Sequence, residues 1–400
     1  MLNLKKLTIL LFTVAGLMAL LLSACSSSNN PVSPKPGGGN GGSGSSQPLT
    51  SSTQSGHIKG IMTQGKTYTV TGDIYVDKND TLTVKPGVTV NVKNNSTFFI
   101  NGTIRSMGTQ SNPITFTAPG DSSGSWGGFN ADSAQAVTFH WTHINYTGGP
   151  DPNGDPRVTL LVHAPIKVDF EDNWIKDGVD NALEVTQGAQ LTMLRNTINH
   201  QGSTDGEGLD VYTGVTGTIA YNVIWGGAGN ALKIQTSNTK LHPETNLKVY
   251  NNDFIDNGYR RGAGEPGAGI TWDQFAEGKI YNNAFISNYY GLAITPAADT
   301  VNITYGHNYY YTSVDSTRQY YFGPKGDYSH EHGAASSSIV SSGVNDKKPM
   351  FQNYKPNDQS AATDKNDFHL KSGSPLIGAG NPKYNNDIGA YPTDGSGNKH

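Results

Sequence analysis

Between residues 182 and 297 the chain repeats short runs in which apolar and polar positions alternate: "ALEVTQG" at 182, "GLDVYTG" at 208, "ALKIQTS" at 231, "GAGITWD" at 267 and "GLAITPA" at 291. A period of two marks a strand with one buried face, and Leu183/Val185, Leu209/Val211 and Leu232/Ile234 supply the inward pairs. Ahead of each run stands an Asn followed by two mostly apolar residues. The copies are "EDNWI" with Asn173, "LRNTI" with Asn196, "AYNVI" with Asn222, "YNNDF" with Asn252, "YNNAF" with Asn283 and "GHNYY" with Asn308. "HWTHI", with Thr142 in the slot, is a weaker copy. A spacing of 23 to 31 residues predicts a stack of repeated units that bury one continuous core.

Short strands stacked coil on coil make a parallel β-helix, in which each strand bonds its counterpart about 4.8 Å away. The recurring Asn then lies above itself, and a buried column of Asn amides can bond along the axis. Upstream, residues 68–118 show strands broken by Lys85-Pro86-Gly87, Asn101-Gly102 and Asn112-Pro113, which predict the first coils. This stretch, with "DTLTVKPGVTV", "NGTI" and "PITFTA", resembles the opening of right-handed parallel β-helix proteins of the pectate-lyase-like superfamily. "DFHLKSGSPLIGAGNPKYNNDIGAYP" at 367–392 is similar to the closing segment of many secreted members. The resemblance implies an all-β chain with one right-handed parallel β-helix over residues 56–392 and an irregular C-terminal capping segment from about Tyr309. It implies no single activity, because the superfamily includes lyases, glycosidases, epimerases and non-catalytic surface proteins.

Composition narrows the partners. With 49 Gly, 20 Tyr, 15% charged residues and a formal net charge of −4, the chain has no basic excess to hold nucleic acid. Residues 1–25 read as a processing signal: Lys5 and Lys6 precede the apolar run Leu7 to Leu22, and "LSAC" follows. This resembles a bacterial lipoprotein signal and implies lipidation of Cys25, the only cysteine. Stability must then come from packing without disulfides. Residues 26–55, rich in Ser, Gly, Pro and Asn, are expected to be a flexible tether, and residues 393–400 a disordered tail. "SSSNN" after Cys25 lacks the Asp that resembles an inner-membrane retention signal, so the expectation is a monomer anchored to the outer membrane, its facing side undecided.

Candidate chemistry lies on the outward positions of the alternating runs. With the runs matched to one another, Glu184, Asp210, Lys233, Gly269 and Ala293 form one column, with Thr186, Tyr212, Gln235, Thr271 and Thr295 two places on. Opposed like charges destabilise a sheet, so Glu184 and Asp210 call for Lys233 or a cation. Ca²⁺ suits an oxygen-rich site, with Asp205 and Glu207 as further ligands. Superfamily lyases are similar in holding Ca²⁺ on adjacent coils and using Lys or Arg as base, which implies Lys233, Arg260 or Arg261 here. Tyr212, Gln235, Thr271, Trp272 and Asp273 are the candidate sugar contacts, with Tyr259, Tyr289 and Tyr290 nearby. His330 and His332 offer only a two-ligand metal site. The expectation is a calcium-assisted lyase acting on an acidic polysaccharide or cell-envelope glycan. The alternative is a non-catalytic glycan-binding lipoprotein, and a purely structural ion pair between Asp210 and Lys233 stays open.

Overall fold

The computed structural model describes residues 46–236, 244–261, 267–298, 301–313, 334–356 and 365–400. The signal segment, Cys25, His330 and His332 lie outside them. Among the described residues every regular element is a strand. One coil is three strands joined by two tight corners and a longer turn, as in Lys167–Glu171, Trp174–Lys176 and Leu183–Val185. Stacking makes three parallel ladders. The first has ten strands, from Gly60–Met62 to Ile303–Gly306. The second runs from the first half of Thr67–Val76 to Tyr309–Tyr311 and Ile339–Val340. The third runs from the second half of Thr67–Val76 to Tyr290–Ile294. This is a parallel β-helix, and parallel crossovers of this kind run right-handed.

The Asn column is built as its spacing predicts. Each Asn side-chain oxygen accepts from the backbone N–H of the Asn one coil earlier, from Thr142–Asn173 through Asn196, Asn222, Asn252, Asn283 and Asn308, at 2.9 to 3.1 Å. The amide nitrogen donates to a carbonyl of the preceding coil, as Asn222 does to Met193. Ser106 extends the column by bonding the Thr142 hydroxyl at 2.7 Å. A second, shorter ladder joins Asn257 to Asn288 at the next corner, so "NNDFIDN" and "NNAFISN" each hold two rungs. The residue before each rung takes the left-handed conformation: Trp141, Asp172, Arg195, Tyr221, Asn251, Asn282 and His307 have φ between 47° and 58°. That single residue turns the chain sharply, and the buried Asn bonds hold it there.

Three boundaries differ from the sequence expectation. Thr53–His57 is already a strand pairing with Thr67–Val76, and Leu49 donates its N–H to Ile61, so the stack begins inside the expected tether. The C-terminal segment does not simply cap the end. It folds back along the outer face of the second ladder, where Phe351, Phe368, Leu376, Ile388 and Tyr391 pack on Trp225, Ile255, Ile286, Tyr309 and Tyr311. Nor is the tail loose: Asn398 donates to the Asn196 carbonyl at 3.0 Å, and the His400 ring lies 5.2 Å from Trp141. The left-handed corner residues are its dock, with Asn251 donating to Asp387 and Gly389, and Asn282 to Asn381 and Asn385.

Candidate functional site

The outward column of the third ladder runs His57, Tyr75, Phe99, Asn130, Leu161, Glu184, Asp210, Lys233, Thr271, Ala293. Glu184, Asp210 and Lys233 therefore stand in register as expected. Of the two small residues expected to continue the column, Ala293 does and Gly269 does not: Thr271 pairs with Lys233 and with Ala293. Trp272 sits at an inward position opposite Ile234, fully buried in the core, and is not a sugar contact. Its indole lies over Gly278 of the first ladder, where an added side-chain carbon would sit 2.9 Å from the ring. A large residue on one strand is matched by none on its neighbour.

Each charge in the column has a fixed partner. Glu184 accepts from His163 Nε2 at 2.8 Å, while His163 Nδ1 lies 2.9 Å from Asp132. Burial works against a charge on His163, but these two carboxylates outweigh it and push its pKa up to about 9, so it is a cation at neutral pH. Asp210 has a side chain only 3% exposed and lies 3.9 Å from Lys233 Nζ. Burial pushes its carboxyl up to about 7 against the pull of Lys233. Tyr212 donates its hydroxyl to Asp210 at 2.7 Å, and burial with this neighbour raises the phenol's pKa. Burial also raises Asp180 to about 6, reinforced by Glu207, Asp205 and Glu184.

The arginines are committed elsewhere. Arg261 pairs with Asp205 at 2.9 Å and with the buried Glu207 at 2.8 Å, and Glu207 also accepts from Asn230. Arg260 reaches under the coils and donates to the carbonyls of Gly226, Gln201 and Gly202 at 2.7 to 3.0 Å. That geometry makes Arg260 a strut between coils. Of the other expected contacts, Gln235 is buried, Thr271 is buried and donates to Asn230, and half-buried Asp273 accepts from Gln274 and Thr295. His163, Asp132, Asn230 and Asp180 were not foreseen. Carrying the alternation one coil upstream to "LLVHA" would have put Leu161 opposite Glu184 and the outward His163 diagonally across from it.

Residues 55–136 match the family model described as a pectate-lyase like beta helix domain. The coils beyond the matched residues continue the same parallel β-helix. The match supports a protein of this architecture that acts on polysaccharide, and nothing finer about reaction or ligand. No curated protein and no solved structure gives a significant match to the chain.

Within this β-helix the residues expected to hold Ca²⁺ do not fit the ion. Calcium takes six to eight oxygens at about 2.3–2.6 Å, yet no three among Glu184, Asp205, Glu207 and Asp210 bring ligand atoms within 4.8 Å of one another. Their negative charge is already met by His163, Arg261 and Lys233.

Proposed function

We propose that the third-ladder face around Glu184, Asp210 and Lys233 is a glycan-binding surface, as in the non-catalytic reading of the sequence. One observation carries this: every cation named as a base is already engaged. Lys233 lies beside Asp210, whose ionised form favours a charged ammonium and opposes service as a base. Arg260 is tied to backbone carbonyls and Arg261 to two carboxylates. Positive and negative groups interleave across the face, which suits a hydroxyl-rich glycan better than a densely charged uronate polymer. Partly exposed Glu184, His163 and Lys233 supply acceptors and donors held in place by their partners.

Elimination on a uronic acid, without the expected calcium site, is the second reading. What favours it is the buried Asp210 carboxyl between Lys233 and Tyr212, where burial raises its pKa and makes it a readier proton carrier than an ordinary carboxylate. Affinity electrophoresis against neutral and uronate polysaccharides, run beside absorbance near 235 nm with Ca²⁺ and with a chelator, separates the two. The expected result is retardation by a polysaccharide, weakened at least tenfold in Glu184→Gln and Lys233→Ala, with no absorbance rise. An absorbance rise lost in Lys233→Ala, with calcium or with the chelator, establishes the lyase; no retardation by any polysaccharide ends the binding reading.

The position of this face in the cell is proposed from the sequence alone: Cys25 anchors the chain to the outer membrane. Incorporation of labelled palmitate that persists in Cys25→Ala would refute the anchor.

A further inference from the structure

A different face of the β-helix carries a cluster that the glycan reading does not use. On the outer side of the first ladder, the strands Ala136–His140 and Lys167–Glu171 pair with His140 opposite Glu171 and Thr138 opposite Asp169. Alternation then places His140, Asp169 and Glu171 on the same side of two neighbouring coils. They form the group among the described residues in which one ligand atom from each of three His or acidic side chains lies within 4.8 Å of the other two.

Two details point to a cation rather than an ordinary ion pair. His140 Nε2 and Asp169 Oδ1 are 3.3 Å apart and shielded from solvent, yet neither makes a hydrogen bond. The contact is near enough for a bond and too poorly directed to be one. In tetrahedral coordination with metal bonds of about 2.0–2.1 Å, neighbouring ligand atoms stand about 3.3–3.4 Å apart. The lining is also supported from outside: Lys167 lies 3.7 Å from the other Asp169 oxygen, and Arg195 holds Glu171 at 2.6 Å and Asp172 at 2.8 Å. Such outer partners orient ligating carboxylates.

We propose that His140, Asp169 and Glu171 bind a zinc-type divalent cation that staples two adjacent coils. An imidazole with two carboxylates suits Zn²⁺, leaves its remaining position to water, and is a poor match for Ca²⁺, which takes oxygen ligands. The cation satisfies both unbonded atoms at once, and it stabilises the fold because its ligands come from strands that meet only in the native stack.

The test is calorimetric titration of the purified protein with zinc chloride, paired with thermal melting with and without zinc, for the wild type, His140→Ala, Asp169→Asn and Glu171→Gln. The expected result is one wild-type site whose affinity falls at least tenfold in each variant. Zinc should raise the wild-type melting temperature, leave that of His140→Ala unchanged, and not be replaced by calcium. Near-isosteric Asp169→Asn guards against a variant that misfolds. A wild type that binds no zinc, or binding retained in His140→Ala and Asp169→Asn alike through histidines elsewhere, overturns the proposal.

Discussion

The buried asparagines of the ladder are specific because each has partners that apolar residues could not replace. Asn222 accepts from the backbone and amide of Asn196 and donates to Met193 and Asn252, with no exposure at all. Asn222→Ala therefore leaves buried groups unpaired on both adjacent coils and should cost about 3 kcal/mol, read as a lower urea midpoint. Asn222→Asp should do no better, since a carboxylate cannot donate to Met193. Asp253 differs because it is wholly buried, and burial pushes its carboxyl up to about 8 despite a backbone hydrogen bond from Ala390. In the unfolded chain it ionises near 3.9. Between about pH 4 and 8 the native state thus holds a proton that the unfolded state has lost, so stability from this group falls as pH rises through that window and levels off above it. Urea midpoints at pH 5 and pH 8 should show a larger drop for wild type than for Asp253→Asn; equal drops would mean that Asp253 is ionised in the fold.

At the scale of the strand, the alternation was readable wherever it distinguished two faces. Leu183–Val185, Leu209–Val211 and Leu232–Ile234 each present one outward polar residue between inward apolar ones, and the column Glu184–Asp210–Lys233 followed. Ala268–Trp272 gives no such contrast, because all its residues are buried and two of them are small. A strand without contrast does not fix its own register, and matching its leading glycine displaced that register by two residues. The missing clue lay one strand away in Gly278, which takes a φ of 151° and leaves room for an indole. Trp272→Ala should consequently cost about 3–5 kcal/mol as a core truncation and leave glycan retardation unchanged in protein that remains folded. A loss of binding at full stability would return Trp272 to the surface.

For the whole molecule, the unread feature was the C-terminal strap, although the strands it covers advertised it. Val223–Trp225, Ala284–Ile286 and Tyr309–Tyr311 are apolar at every position, the pattern of strands buried on both faces. The inner face was assigned to the core, and the outer one was left without a cover. Its cover comes from residues such as Ile388 and Tyr391, far along the chain but adjacent in space, so that no local period could connect them. The strap also reaches polar anchors: Tyr384 stacks at 5.2 Å on Tyr281, and Asn251 and Asn282 hold its backbone. A chain ending at residue 378 removes these anchors and, with them, the burial of Ile388, worth roughly 1.5–3 kcal/mol. It should melt well below the intact protein and bind a dye of apolar surfaces, while the Asn ladder keeps its strand signal in circular dichroism. An unchanged melting temperature without dye binding would show that the strap only rests on the stack, and the apolar outer face would then need another partner.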